Sequence, residues 1–158
     1  QTFQELPAFR VKFLECLVNG WPKLAGSEQI ISARKPIFAW ACTAVGSDVW
    51  SLRKTTLELL KAVLADETYT ASAADLELVL AAISAGAGDR NMKVRLPALK
   101  CLDSFLNVQC KKQGVKSILS SASMEAIRGI LRAASTDSEP AMIQAGMKLQ
   151  ADWLQLSN

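Results

Sequence analysis

Leu52-Arg53-Lys54-Thr55-Thr56-Leu57-Glu58-Leu59-Leu60 returns 42 residues later as Val94-Arg95-Leu96-Pro97-Ala98-Leu99-Lys100-Cys101-Leu102. Each copy opens on an apolar residue and an arginine, then runs through a small residue into leucines. Each also stands just after an acidic turn, at Asp48 in the first copy and Asp89 in the second. In the first, Val49, Leu52, Thr56, Leu59, Leu60 and Val63 fall on one stripe of period 3.6 while Lys54, Glu58 and Lys61 face away, so Asp48 to Ala65 reads as an amphipathic helix. In the second, Val94, Ala98, Leu102 and Leu106 recur at spacings of four, predicting a helix from Asn91 to Val108 with Pro97 in its second turn. A weaker third copy lies 47 residues further on, where Ala145, Leu149 and Trp153 take the places of Ala98, Leu102 and Leu106 after Asp137.

The flanking segments carry the same periodicity. A helix is expected from Leu6 to Val18, ended by Asn19-Gly20, with Trp21-Pro22 forcing a break because proline cannot continue a helix and restricts its predecessor. Ser27 to Val45 reads as a second helical region, with Pro36 as a kink or restart. Ser72 to Asp75 has the form of an N-terminal cap; Leu76, Val79, Leu80 and Ile83 follow, and Gly86-Ala87-Gly88 is read as the stop. Lys111-Lys112-Gln113-Gly114 reads as a basic turn. A helix is then expected near Val115 to Ala134, interrupted at Ser120 to Ser123, and a last one begins at Glu139-Pro140, with proline suited to its first turn.

The expectation is an all-α chain of about seven helices arranged as an α-solenoid of stacked antiparallel pairs. Residues 1–158 form one unit in this reading. Residues 1–20 are the second helix of a truncated repeat, and 27–66, 70–110 and 114–156 are the helix pairs. Composition agrees, since half of the residues are apolar, mostly Ala and Leu, with few aromatics and little Gly or Pro. The opening Gln1, without Met, reads as a piece of something longer or processed.

Several chemistries are disfavoured by the residue inventory. The sequence has no histidine, which removes the commonest general base and metal ligand together with every Ser-His and Cys-His arrangement. Cys16, Cys42, Cys101 and Cys110 lack CxxC spacing and read as small buried thiols of a reducing compartment, not as zinc or redox ligands. A formal charge of +3 is too small to predict nucleic-acid binding. No apolar run reaches the roughly 18 residues of a membrane span, and the opening Gln1-Thr2-Phe3-Gln4-Glu5 reads without the basic and apolar regions of a signal peptide, so the chain is expected in the cytoplasm and also the nucleus.

Gly86-Ala87-Gly88 lacks the strand and the Gly-Lys-Ser/Thr of a phosphate loop. Asp66-Glu67 and Asp75 with Glu77 read as solvated surface groups, and Ser117, Ser120, Ser121 and Ser123 as caps and a turn. Trp21, Trp40, Trp50 and Trp153 read as packing anchors, with Trp50 the one placed to be exposed as a contact. No cofactor is implied.

A helix-pair period of about 40 to 47 residues is the HEAT and armadillo range. The chain resembles the HEAT-repeat superfamily, whose pattern of an Asp-containing turn and a second helix opening Val-Arg is matched by Asp89, Val94, Arg95, Ala98, Leu99 and Leu102, and less fully by Asp48, Leu52, Arg53 and Leu57. The resemblance implies that Asp48, Arg53, Asp89 and Arg95 join neighbouring repeats in a polar ladder. The third copy has Met142 and Ile143 in place of the basic residue, so its rung is expected to be missing. Second helices usually line the concave side, which makes Lys54, Glu58, Lys61, Lys93, Lys100 and Asp103 candidate protein contacts. Trp50, Lys111 and Lys112 join them as an aromatic contact and part of a basic patch.

Asp48-Val49-Trp50-Ser51-Leu52-Arg53-Lys54 and Ser32-Ala33-Arg34-Lys35-Pro36-Ile37-Phe38 look most like the C-terminal part of the long proteasome-associated adaptor and scaffold proteins. That resemblance implies a non-catalytic scaffold that bridges proteasome particles. The alternative is a nuclear-transport receptor or another HEAT adaptor that binds peptide or acidic cargo.

Overall fold

The computed structural model of the chain describes residues 7–158. The expected start of the first helix at Leu6 lies outside them. Helix α1 (Pro7–Leu24) does not break at Trp21-Pro22. The proline costs one intrahelical bond near the end of the helix. Trp21, only 2% exposed, lies in the core, and its burial offsets that loss. Helix α2 (Glu28–Ala44) is capped by the Ser27 hydroxyl, which accepts from the Ile30 N–H at 3.3 Å, and it continues across an exposed Pro36. Helix α3 (Trp50–Ala65) follows the Asp48 turn.

Helix α4 (Ala73–Ala87) opens on a capping box in which Ser72 and Asp75 satisfy each other's backbone N–H groups. It runs through Gly86, which is therefore not a stop. Gly86 is buried where α4 crosses α3 and α5, and a Cβ there would stand 2.7 Å from Leu57 Cδ1 and 3.0 Å from Ala98 Cβ. Gly88 is the residue that caps the helix.

Helix α5 (Met92–Ser104) is capped by Asn91 and widens into a π-helical stretch, Phe105–Cys110, that leads into α6 (Lys111–Gln113). The basic residues read as a turn are thus helical, and the chain turns at Gly114, whose φ of 84° is left-handed. Across the widened segment Phe105, Leu106, Gln109 and Cys110 are all buried. Helices α7 (Val115–Ile118) and α8 (Ser121–Ser135) are separated at Leu119 and Ser120, and Ser120 caps α8 through the Ser123 N–H at 3.1 Å. Helix α9 (Pro140–Ser157) begins on the expected proline.

Among the described residues every regular element is helical. Helices α2 and α3, α4 and α5, and α8 and α9 pack as pairs. Helices α1, α3, α5 and α9 lie side by side in that order, and α2, α4 and α8 contact one another in order on the other side. The core between them is mainly aliphatic, with Leu52, Leu57, Leu76, Val94, Leu99 and Ile127 at most 1% exposed. Cys101 and Cys110 are buried and Cys42 is half-buried, whereas Cys16 on α1 is exposed, so burial does not extend to all four thiols. No helix among the described residues is long and apolar enough to cross a membrane.

Candidate functional site

The repeat's arginines and aspartates set the spacing of the pairs. Arg53, on α3, donates from Nε to Asp89 Oδ2 at 2.6 Å and from Nη2 to Asp89 Oδ1 at 3.0 Å, reaching the turn between α4 and α5. Arg95, one copy later on α5, makes the same fork to Asp137 at 2.9 and 3.1 Å, reaching the turn between α8 and α9. Planar guanidinium and carboxylate match in this geometry, so each fork holds direction as well as distance. Each aspartate also accepts a backbone N–H two residues on, from Asn91 at 2.8 Å and Glu139 at 2.9 Å, which fixes the turn itself. Bonds from Arg53 and then from the Asn91 N–H hold Asp89 below the ordinary carboxylate range, with desolvation opposing them. Arg95 and the Glu139 N–H do the same to Asp137.

Asp48 enters this arrangement through its main chain. Its carbonyl and that of Ser47 accept from Arg53 Nη1 at 3.1 and 2.9 Å. The third copy, expected to lack a rung, supplies the acceptor of one through Asp137. Because α9 carries Met142 and Ile143 at the basic position, the series of fork-forming arginines ends with Arg95 on α5.

Asp66 is not the solvated surface group expected. Its side chain is 6% exposed and lies 3.3 Å from Arg34, which also donates to the Ala25 carbonyl and the Thr68 hydroxyl. The acidic turn after α3 is therefore tied to α2.

Five of the residues singled out as protein contacts come together. Lys54, Glu58 and Lys61 on α3 and Lys93 and Lys100 on α5 line one groove of about 660 Å³, bounded by Val18 of α1 and by Glu139, Ala141 and Met142 at the start of α9. The floor is apolar, formed chiefly by Met92, Leu96, Pro97 and Met142. Lys54 lies 3.5 Å from Glu58, and the Lys93 ammonium sits 5.2 Å from the centre of the Trp50 ring, beside the groove. Trp50 is 39% exposed.

The other three lie elsewhere. Asp103 is engaged within the chain, accepting from Asn107 at 2.9 Å and from Lys148 of α9 at 2.7 Å in a knot that includes Asp152. Lys112 donates to the Glu67 carbonyl at 2.7 Å, and Lys111 is exposed on α6, away from the groove.

Comparisons with protein-family models, with curated proteins and with solved structures return no match. The groove's own side chains define its chemistry: four flexible ammonium groups around an apolar trough, suited to holding carboxylates beside a buried hydrophobic side chain. The trough is not marked by the main periodicity, because Met92 and Leu96 fall off the buried stripe of α5. Their signal was nonetheless present, as Met92, Lys93, Leu96, Pro97 and Lys100 share a second helical face.

Proposed function

We propose that this chain is a non-catalytic protein-interaction scaffold of the cytosol or nucleus, a HEAT-like α-solenoid segment whose α1, α3, α5 and α9 side is its binding face. The observation that carries the reading is that lysines from two successive copies of the repeat, Lys54, Lys61, Lys93 and Lys100, line a single groove. Support for the solenoid comes from the 42-residue repeat, the side-by-side order of the second helices, and a matching Arg–Asp fork after each of two copies. Units that bury their apolar stripes only against neighbours build extended surfaces for binding. The lack of histidine supports the non-catalytic part of the reading.

The resemblance of residues 32–38 and 48–54 to proteasome-associated scaffolds makes the proteasome the first partner to test. The experiment is affinity capture with the tagged protein carrying residues 1–158, beside a control from which they are removed, with mass spectrometry of what is retained. Proteasome subunits that disappear with the deletion support the adaptor role. Transport factors or other cargo in their place leave the scaffold and remove the proteasome. Retention that is unaffected by the deletion overturns an interaction role for this segment.

A further inference from the structure

We infer that the groove between α3 and α5 takes an acidic segment of another protein, with one bulky apolar side chain seated on its floor and Asp or Glu residues on either side. This inference rests on the reading of the chain as an interaction scaffold and names the chemistry of its partner. Charge complementarity commits the groove to that occupant. Among the described residues four lysines and two glutamates line it, and Glu58 already lies beside Lys54, so the free balance of that rim is positive. Lys61 and Lys100 are exposed and face the groove from opposite helices, placed to hold carboxylates on both flanks of a chain lying between them.

The floor completes the specificity. Met92, 48% exposed, presents a pliable thioether surface beside Leu96, Pro97 and Met142. Methionine adapts to the shape of an incoming apolar side chain, and burying that side chain supplies the main driving force while the lysines select the sequence around it. The same observations disfavour nucleic acid. Among the described residues no aromatic ring lines the groove for bases to stack on and no arginine lines it to fork onto phosphate, and Lys93 lies over the nearby Trp50 ring.

The test is selection of a displayed random peptide library on the chain. The enriched peptides are then titrated against the wild type, Met92→Ser, and the double variant Lys61→Glu/Lys100→Glu; a single-stranded oligonucleotide serves as the comparison probe. All three substituted residues are exposed, and circular dichroism melting checks that the variants fold. The expected result is enrichment of peptides with Leu, Phe or Trp among Asp and Glu. Their affinity should fall about tenfold or more in the charge-reversed variant and weaken in Met92→Ser and at high salt. Peptides with lysines in place of the acidic residues should bind the charge-reversed variant better than the wild type.

Neutral or basic consensus peptides, acidic peptides indifferent to both variants, or tighter binding of the oligonucleotide would each overturn the inference. If the captured partner still depends on residues 1–158 while binding is indifferent to the groove variants, the groove assignment fails and the scaffold reading stands. Loss of both removes both.

Discussion

Replacing Arg95 by alanine removes two bonds to Asp137 and one to the Asp89 carbonyl, and leaves a nearly buried carboxylate held by the backbone N–H groups of its own turn, Glu139 among them. The expected loss is about 2–4 kcal/mol in urea unfolding, more than an exposed ion pair contributes, because the stranded charge remains desolvated. Arg95→Lys should recover only part of it, since an ammonium cannot make the fork. The same aspartates contribute to the acid sensitivity of the fold. Asp89 and Asp137 have carboxyls lowered from their ordinary value by their arginines, so their contribution is complete above the unfolded value, about 3.9. It disappears as pH falls through the lower folded values. A pH series of urea midpoints should therefore fall steeply on acidification and less steeply in Asp89→Asn/Asp137→Asn, which is less stable at neutral pH. Burial raises the Cys42 thiol to about 11 and the Cys110 thiol to about 12, and with no histidine present neither site adds a transition near neutrality. Arg53, Asp89 and Arg95 stood out in the sequence by repetition. A ladder between neighbouring repeats was implied by the resemblance alone; which aspartate each arginine bonds was not legible, because each reaches the aspartate of the following copy and only the stacking of pairs brings those residues together.

At the scale of the element, the widened end of α5 acts as a clasp. Gln109 is fully buried, donates to the Leu64 and Tyr69 carbonyls at 2.9 Å each, and accepts the Ala71 N–H at 3.0 Å, holding the loop from α3 to α4. Gln109→Ala strands those three groups and should cost about 2–4 kcal/mol. Hydrogen exchange should show the faster opening concentrated in residues 66–72. Gly86→Ala tests the crossing of α4 over α3 and α5. Helix propensity favours the substitution, but the new methyl would press on Leu57 and Ala98, and we expect a net loss of about 1–2 kcal/mol in thermal melts. The helices themselves were readable because their apolar stripes keep a period of 3.6. Their ends were less so. Pro22 and Gly86 are local breakers overridden by burial of Trp21 in the core and by a close helix crossing against Leu57 and Ala98, which are distant from Gly86 in sequence. Gln109 left a faint trace as a polar residue between the apolar Leu106 and Cys110.

For the molecule as a whole, the rim of the groove was visible as lysines facing away from two matched stripes, while its floor required the packing. Leu96 and Met142 meet only because α5 and α9 lie side by side. Asp103 shows the converse: on the same polar side of α5 in sequence, it is committed to Lys148 once α9 is in place. The four methionines provide natural reporters of where a partner docks. Met92 and Met142 line the groove, Met147 is exposed in a separate depression between α8 and α9, and Met124 packs against the core from α8. The most direct measurement is methyl NMR of the chain labelled at methionine, titrated with the partner protein recovered by affinity capture. Binding on the α1, α3, α5 and α9 face predicts that the Met92 and Met142 signals shift or broaden while Met147 and Met124 stay in place. A saturating titration that moves Met147 and leaves Met92 and Met142 unchanged would contradict the account.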